Sequence, residues 1–137
     1  MTRIPAGELR ATREWLGLST PTLARLLEVR TDTVRRWESG RERVPLRVRV
    51  ELDALEQTTA AAVDEVVATL RNARHPVVIV YRDTEDLPAW LDIAWLDGVC
   101  LGAAWWRHVA ASASREVAGT VVCYPDEVGK LPDDTRA

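Results

Sequence analysis

The apolar pattern of the first 45 residues is interrupted so often that only short helices fit there. Leu9, Ala11/Thr12 and Leu16 recur at helical spacing and stop at Gly17, a residue that commonly ends a helix. Ser19 can cap a second helix, and Pro21 suits its first turn, where a missing N–H costs nothing. Leu23, Ala24, Leu26 and Leu27 give the stretch Pro21–Leu27 an inward face. Glu28, Val29 and Arg30 form a turn, and a third helix is predicted over about Thr31–Ser39, with Val34 and Trp37 on one face. Gly40 stands where a left-handed C-cap would, and Pro45 blocks immediate continuation. From Leu46 to Ala73 the punctuation ceases. Val48, Leu52, Leu55, Thr59, Ala62/Val63, Val66/Val67 and Leu70 then step by three and four, which predicts one long amphipathic helix.

Beyond that helix the pattern changes period. Val77–Tyr81 and Thr120–Tyr124 are short, β-branched runs and read as strands. Ala103–Val117 reads as a helix with Trp105/Trp106, Val109 and Ala113 inward, while Thr84–Gly102 resists assignment. The expected fold is mostly α with a small α/β C-terminal part. It divides into residues 1–47, a helix-strand-helix-strand region at 48–124, and a flexible tail at 125–137. Cys100 and Cys123 lack metal-ligand spacing and read as buried thiols in a reducing compartment. No apolar run is long enough to span a membrane, and no signal-peptide core precedes the first helix, so a cytoplasmic location is expected. His75 and His108 have no nucleophile or metal pattern beside them, and no phosphate loop is present. The expectation is therefore a protein that is not an enzyme and carries no metal or cofactor.

Charge narrows the possible partners. Residues 1–50 hold eleven arginines against six acids, a balance of +5, whereas the remaining seven basic residues face fifteen acids. A basic end on a chain of net charge −3 is the asymmetry expected when one part meets a polyanion. The two short helices at 21–39 sharpen this. Ala24 is a small residue where two helices could touch, and Leu23, Leu27, Val29, Val34 and Trp37 could share a core. That leaves Thr31, Asp32, Thr33, Arg35 and Arg36 outward on the third helix, all able to hydrogen-bond to base edges.

The stretches LRATREWLGLS, LARLLEV, TDTVRRWESG and RERVP closely resemble the phage-repressor-like (XRE, or Cro-type) helix-turn-helix family over roughly residues 8–46. The resemblance implies a lambda-repressor-like DNA-binding domain with roles for individual residues. Arg13 and Glu38 would form a structural ion pair. Thr20, Arg30, Thr33, Arg41 and Arg43 would contact phosphates, which position a protein without specifying sequence. Thr31, Asp32, Arg35 and Arg36 would read bases, Arg36 through guanine O6/N7 and Asp32 through cytosine N4. One position departs: Glu28 stands where the family often has Gly. A left-handed residue there costs about 1 kcal/mol more for Glu, so a slightly altered turn is expected.

The second half is similar, through Tyr81, Trp105/Trp106, Arg107, Val109, Ala110 and Ala111, to anti-CRISPR-associated and YdiL-like regulators. In those proteins this region forms the dimer. A domain of this size buries little surface alone, and one recognition helix touches few base pairs, which also favours a homodimer on a two-fold site. Val77, Val78, Ile79, Val80, Trp105, Trp106 and Val109 are the expected dimerisation residues. The function implied is a transcriptional regulator of double-stranded DNA, most simply a repressor or autorepressor. Two alternatives stay open: an antitoxin-type protein whose C-terminal half binds a protein partner, and a repressor whose Trp90, Trp95, Trp105 and Trp106 line a ligand pocket instead of the core.

Overall fold

A computed structural model describes residues 2–132, and the fold is mostly helical with a small sheet part. Three short helices come first: α1 (Ala6–Trp15), α2 (Thr20–Leu27) and α3 (Thr31–Glu38). The sequence punctuation places each end. Ser19 caps α2 by accepting from the Thr22 amide at 3.2 Å, and Pro21 lies in its first turn. Leu9, Leu16, Leu23, Leu27, Val34 and Trp37 are all buried and point to one centre. Glu28, between α2 and α3, has φ 58° and ψ 43°. The turn is thus not altered to suit Glu28; the residue adopts the left-handed geometry itself, at a cost of about 1–2 kcal/mol.

Helix α4 (Leu46–Arg71) roofs this group with Val48 and Leu52 and continues well past it. The distal part of the fold packs on that continuation. Strand β1 (Val77–Ile79) leads through an irregular segment to a hairpin of β2 (Trp95–Leu96) and β3 (Val99–Cys100). Helix α5 (Ala103–Ser114) then lies along α4, and β4 (Val121–Cys123) returns to pair with β1 in parallel, Val77 opposite Val121. Two indoles fasten α5: Trp105 donates to the Thr59 hydroxyl at 3.0 Å, and Trp106 to the Ile79 carbonyl at 2.8 Å. Thr59, the buried polar side chain of α4, also donates to the Leu55 carbonyl at 2.8 Å, so its hydroxyl both donates and accepts.

One continuous core runs from Ile4 to Val117. The expected boundary at residue 47 falls in the first turn of α4, and the two parts meet again at Gly17. This residue has φ +74°, and a Cβ there would stand 2.5 Å from the Ala104 carbonyl oxygen at the start of α5. Only glycine satisfies both the conformation and the approach.

Three expectations need correction. Trp105, Trp106 and Val109 are 1%, 5% and 0% exposed within a single chain, so they are core and have no surface to give a partner. Val78 and Val80 are buried too, and β1 finds its pairing partner inside the chain, in β4. The tail is not loose from its start: Pro125–Lys130 forms a 3-10 helix, tied by Arg82–Asp126 at 2.6 Å and by the Tyr124 amide donating to Glu127 at 2.8 Å. Residues 133–137 of the expected tail lie outside the described residues. Of the two thiols, both free, Cys123 is buried and Cys100 only half-buried. Burial, with Glu127 and Asp126 nearby, pushes the Cys123 thiol above its ordinary pKa.

Candidate nucleic-acid interface

The outer face of α3 is positioned by what lies beneath it. Val34 and Trp37 anchor the helix in the core, and Glu38 meets Arg13 of α1 through two parallel bonds. Arg13 Nε and Nη2 donate to the two carboxylate oxygens at 2.7 and 2.9 Å, and Nη1 reaches the Leu18 carbonyl at 3.0 Å. Both side chains are largely buried, 13% and 8% exposed. The bond to Glu38 raises the Arg13 guanidinium above its already high pKa, against the opposing effect of burial. A planar fork on a carboxylate fixes orientation as well as distance, so the pair sets how α3 sits on α1.

The residues expected to read bases gather on the opposite face. Asp32, Arg35 and Arg36, with Ser39 and Arg41, line one shallow concavity of about 350 Å³. Asp32 and Arg35 stand well out from the helix, within 3.8 Å of each other. Thr31 and Thr33 are half-buried and less available than the sequence implied. Arg36 is held: Nε donates to Glu42 at 2.8 Å, and Nη2 lies 3.4 Å from the Thr33 hydroxyl. Thr33 thus props Arg36. Thr20 is the half-buried first residue of α2.

Sequence reasoning missed Glu42 and Ser39. Glu42 lies past the Gly40 turn, outside any helical spacing, and the chain reversal brings it back to Arg36. Ser39 closes α3 by donating to the Arg36 carbonyl at 3.1 Å, a capping habit that could have marked it.

Apart from Arg35 and Arg36 on α3, the arginines of residues 1–50 sort into two groups. Arg3, Arg10, Arg13, Arg47 and Arg49 are bound to carbonyls or acids of the same chain and serve the fold. Arg25, Arg30, Arg41 and Arg43 make no side-chain hydrogen bond or ion pair among the described residues. Three of these four bracket α3, Arg30 at its N-cap and Arg41 and Arg43 just beyond its end. Uncompensated guanidinium groups beside an exposed polar helix form a surface suited to anionic oxygen.

No protein-family model matches the chain, and no curated protein matches it with significance. Among the described residues no helix is long and apolar enough to cross a membrane.

Proposed function

We propose that the protein is a sequence-specific transcriptional regulator of double-stranded DNA, with α2 and α3 as a helix-turn-helix of phage-repressor type. The observation that carries this reading is the outer face of α3: Asp32 and Arg35 exposed, Arg36 half-buried beside them in one concavity, unpaired arginines at both ends, and the helix pinned from behind by Arg13–Glu38. Eight residues of α-helix extend about 12 Å, comparable to the width of the B-form major groove. Arg36 is the residue to contact guanine, and Arg30, Arg41 and Arg43 are the phosphate contacts. Glu42 engages Arg36 through Nε, so this ion pair competes with the base for the guanidinium.

A single such helix reads few base pairs, so the regulator acts as a homodimer on an inverted repeat and represses by occupying it. The test is fluorescence anisotropy with DNA from upstream of its own gene against a scrambled duplex, at two salt concentrations. The reading expects at least about a thousandfold preference for the native duplex. Arg36→Ala should cost about 1–3 kcal/mol at one base position, whereas Arg43→Ala should weaken all sequences alike and flatten the salt slope. Equal binding of both duplexes by the wild type, or an Arg36→Ala variant that discriminates normally, would defeat it.

A further inference from the structure

A second cleft, far from α3 in the sequence, lies between α4, β1 and the irregular segment before β2. Its volume is about 530 Å³, within the roughly 300–1,000 Å³ range of small-molecule sites. Val78, Leu70 and Leu91, each buried, form an apolar floor. Three aromatic residues line it: Trp106, fixed by its bond to the Ile79 carbonyl; Tyr81, half-buried; and Trp90, which is 73% exposed. Burial raises the Tyr81 phenol above its ordinary pKa, so this ring stays neutral at physiological pH. The charged groups are all of one sign. Glu65 and Asp92 stand at the rim, and among the described residues no lysine, arginine or histidine lines the cleft; Arg107, behind Tyr81, is engaged by the Tyr81 and Arg82 carbonyls. Trp90 is the most exposed of the six tryptophans; Trp15 and Trp95 are exposed too, but only Trp90 of these three lines the cleft.

Aromatic faces with carboxylates attract lipophilic cations, because ring quadrupoles and acids both favour positive charge while the floor takes apolar substituents. We propose that this cleft binds an organic cation, a quaternary or delocalised ammonium-type molecule with aromatic or bulky apolar groups. The site is also wired toward α2. The Trp90–Ile93 wall runs through Asp92–Ala94 directly into the β2–β3 hairpin, which the Leu101 amide closes on the Ala94 carbonyl at 2.7 Å. Strand β3 contacts α2, and Leu96 and Asp97 share a recess with Leu26, Leu27 and Glu28 at the α2–α3 turn. A cation that moves the Trp90 wall therefore shifts the hairpin against that turn. That such a shift would change DNA affinity rests on the function proposed above; cation binding does not.

The experiment uses the full chain with tetraphenylphosphonium and its oppositely charged counterpart tetraphenylborate, followed by tryptophan emission and calorimetry. Saturable binding of the cation alone is expected. Trp90→Ala should weaken it about 2- to 30-fold, the span of one cation–π contact. Asp92→Asn with Glu65→Gln should weaken it further, with circular dichroism checking that the fold is kept. Hydrogen exchange should change at Leu96–Leu101 and Leu26–Val29 when the cation binds. Equal binding of both ions would reduce the cleft to a generic apolar surface and overturn the proposal. Binding of neither ion, with Trp90→Ala dissociating a dimer, would overturn it in favour of a self-contact. Binding without any change in exchange at Leu26–Val29 would overturn the link to α2. If the cation binds as expected but the chain ignores DNA, the function proposed above fails and the cation site stands.

Discussion

Residues 2–45 lock their core with one bidentate charge pair, Arg13–Glu38, whereas the distal half is fastened by neutral bonds from Trp105 to Thr59 and Trp106 to Ile79. The stakes differ accordingly. A buried charge without its partner is far more costly than a neutral acceptor without one of its donors. Three short helices bury little area, so a directional pair supplies the orientation that packing alone leaves loose. The distal half has two large indoles that provide area and direction together.

Four variants would break or sharpen this contrast. Arg13→Ala should have the largest effect, about 3–5 kcal/mol in urea denaturation, because Glu38 stays buried and uncompensated. A loss under about 1 kcal/mol would show that the pair is effectively solvated and erase the contrast. Gly17→Ala comes next. The left-handed conformation alone costs about 1–2 kcal/mol, and the Ala104 backbone must also move. A silent Gly17→Ala would mean that α5 does not bear on the α1–α2 turn. Trp105→Phe should cost about 1–2 kcal/mol, since Thr59 keeps its bond to Leu55 and the loss is one neutral donor plus the small cavity left by the smaller ring. A loss as large as that of Arg13→Ala would contradict the ranking.

The smallest effect concerns pH. Burial first, then Arg115, lowers the His108 pKa below its ordinary 6.5. The unfolded chain then binds the proton more readily, so this contribution to stability is complete above about pH 6.5 and is lost as pH falls toward the folded value. Trp15 meets His108 edge-on at 4.6 Å, and Glu56, Asp64 and Glu116 share the same recess. His108→Gln should narrow the gap between melting temperatures at about pH 7.5 and pH 5. An unchanged gap would remove His108 from the account.

What could be read in advance followed the range of the interactions. Helices α1 to α4 were legible because caps, stops and period are local signals, and Val34 and Trp37 reveal which side of α3 is inward. The apolar face of α5 was legible too, but its partner was not. Periodicity says that Trp105 and Trp106 are buried and is silent on whether α4, β1 or a second copy buries them. The segment 84–102 depends on distant bonds, such as the Thr84 hydroxyl accepting the Ala103 amide at 3.1 Å. The same holds for Arg82 reaching across to Asp126, which turns an apparent tail into a packed turn. Within the candidate interface, the residues on α3 were readable and the Glu42 clasp on Arg36 was not, because it depends on the reversal at Gly40.

Helix α4 is a single uninterrupted 26-residue rod, about 39 Å long, that both halves use as a wall. A chain cut near Pro45 would strip Val48 and Leu52 from the first three helices, and the same cut would free the end of the rod that holds the rest. Neither piece is a transferable cassette. Moving the first three helices onto another scaffold would require carrying much of α4 with them, so they and the distal half form one indivisible unit.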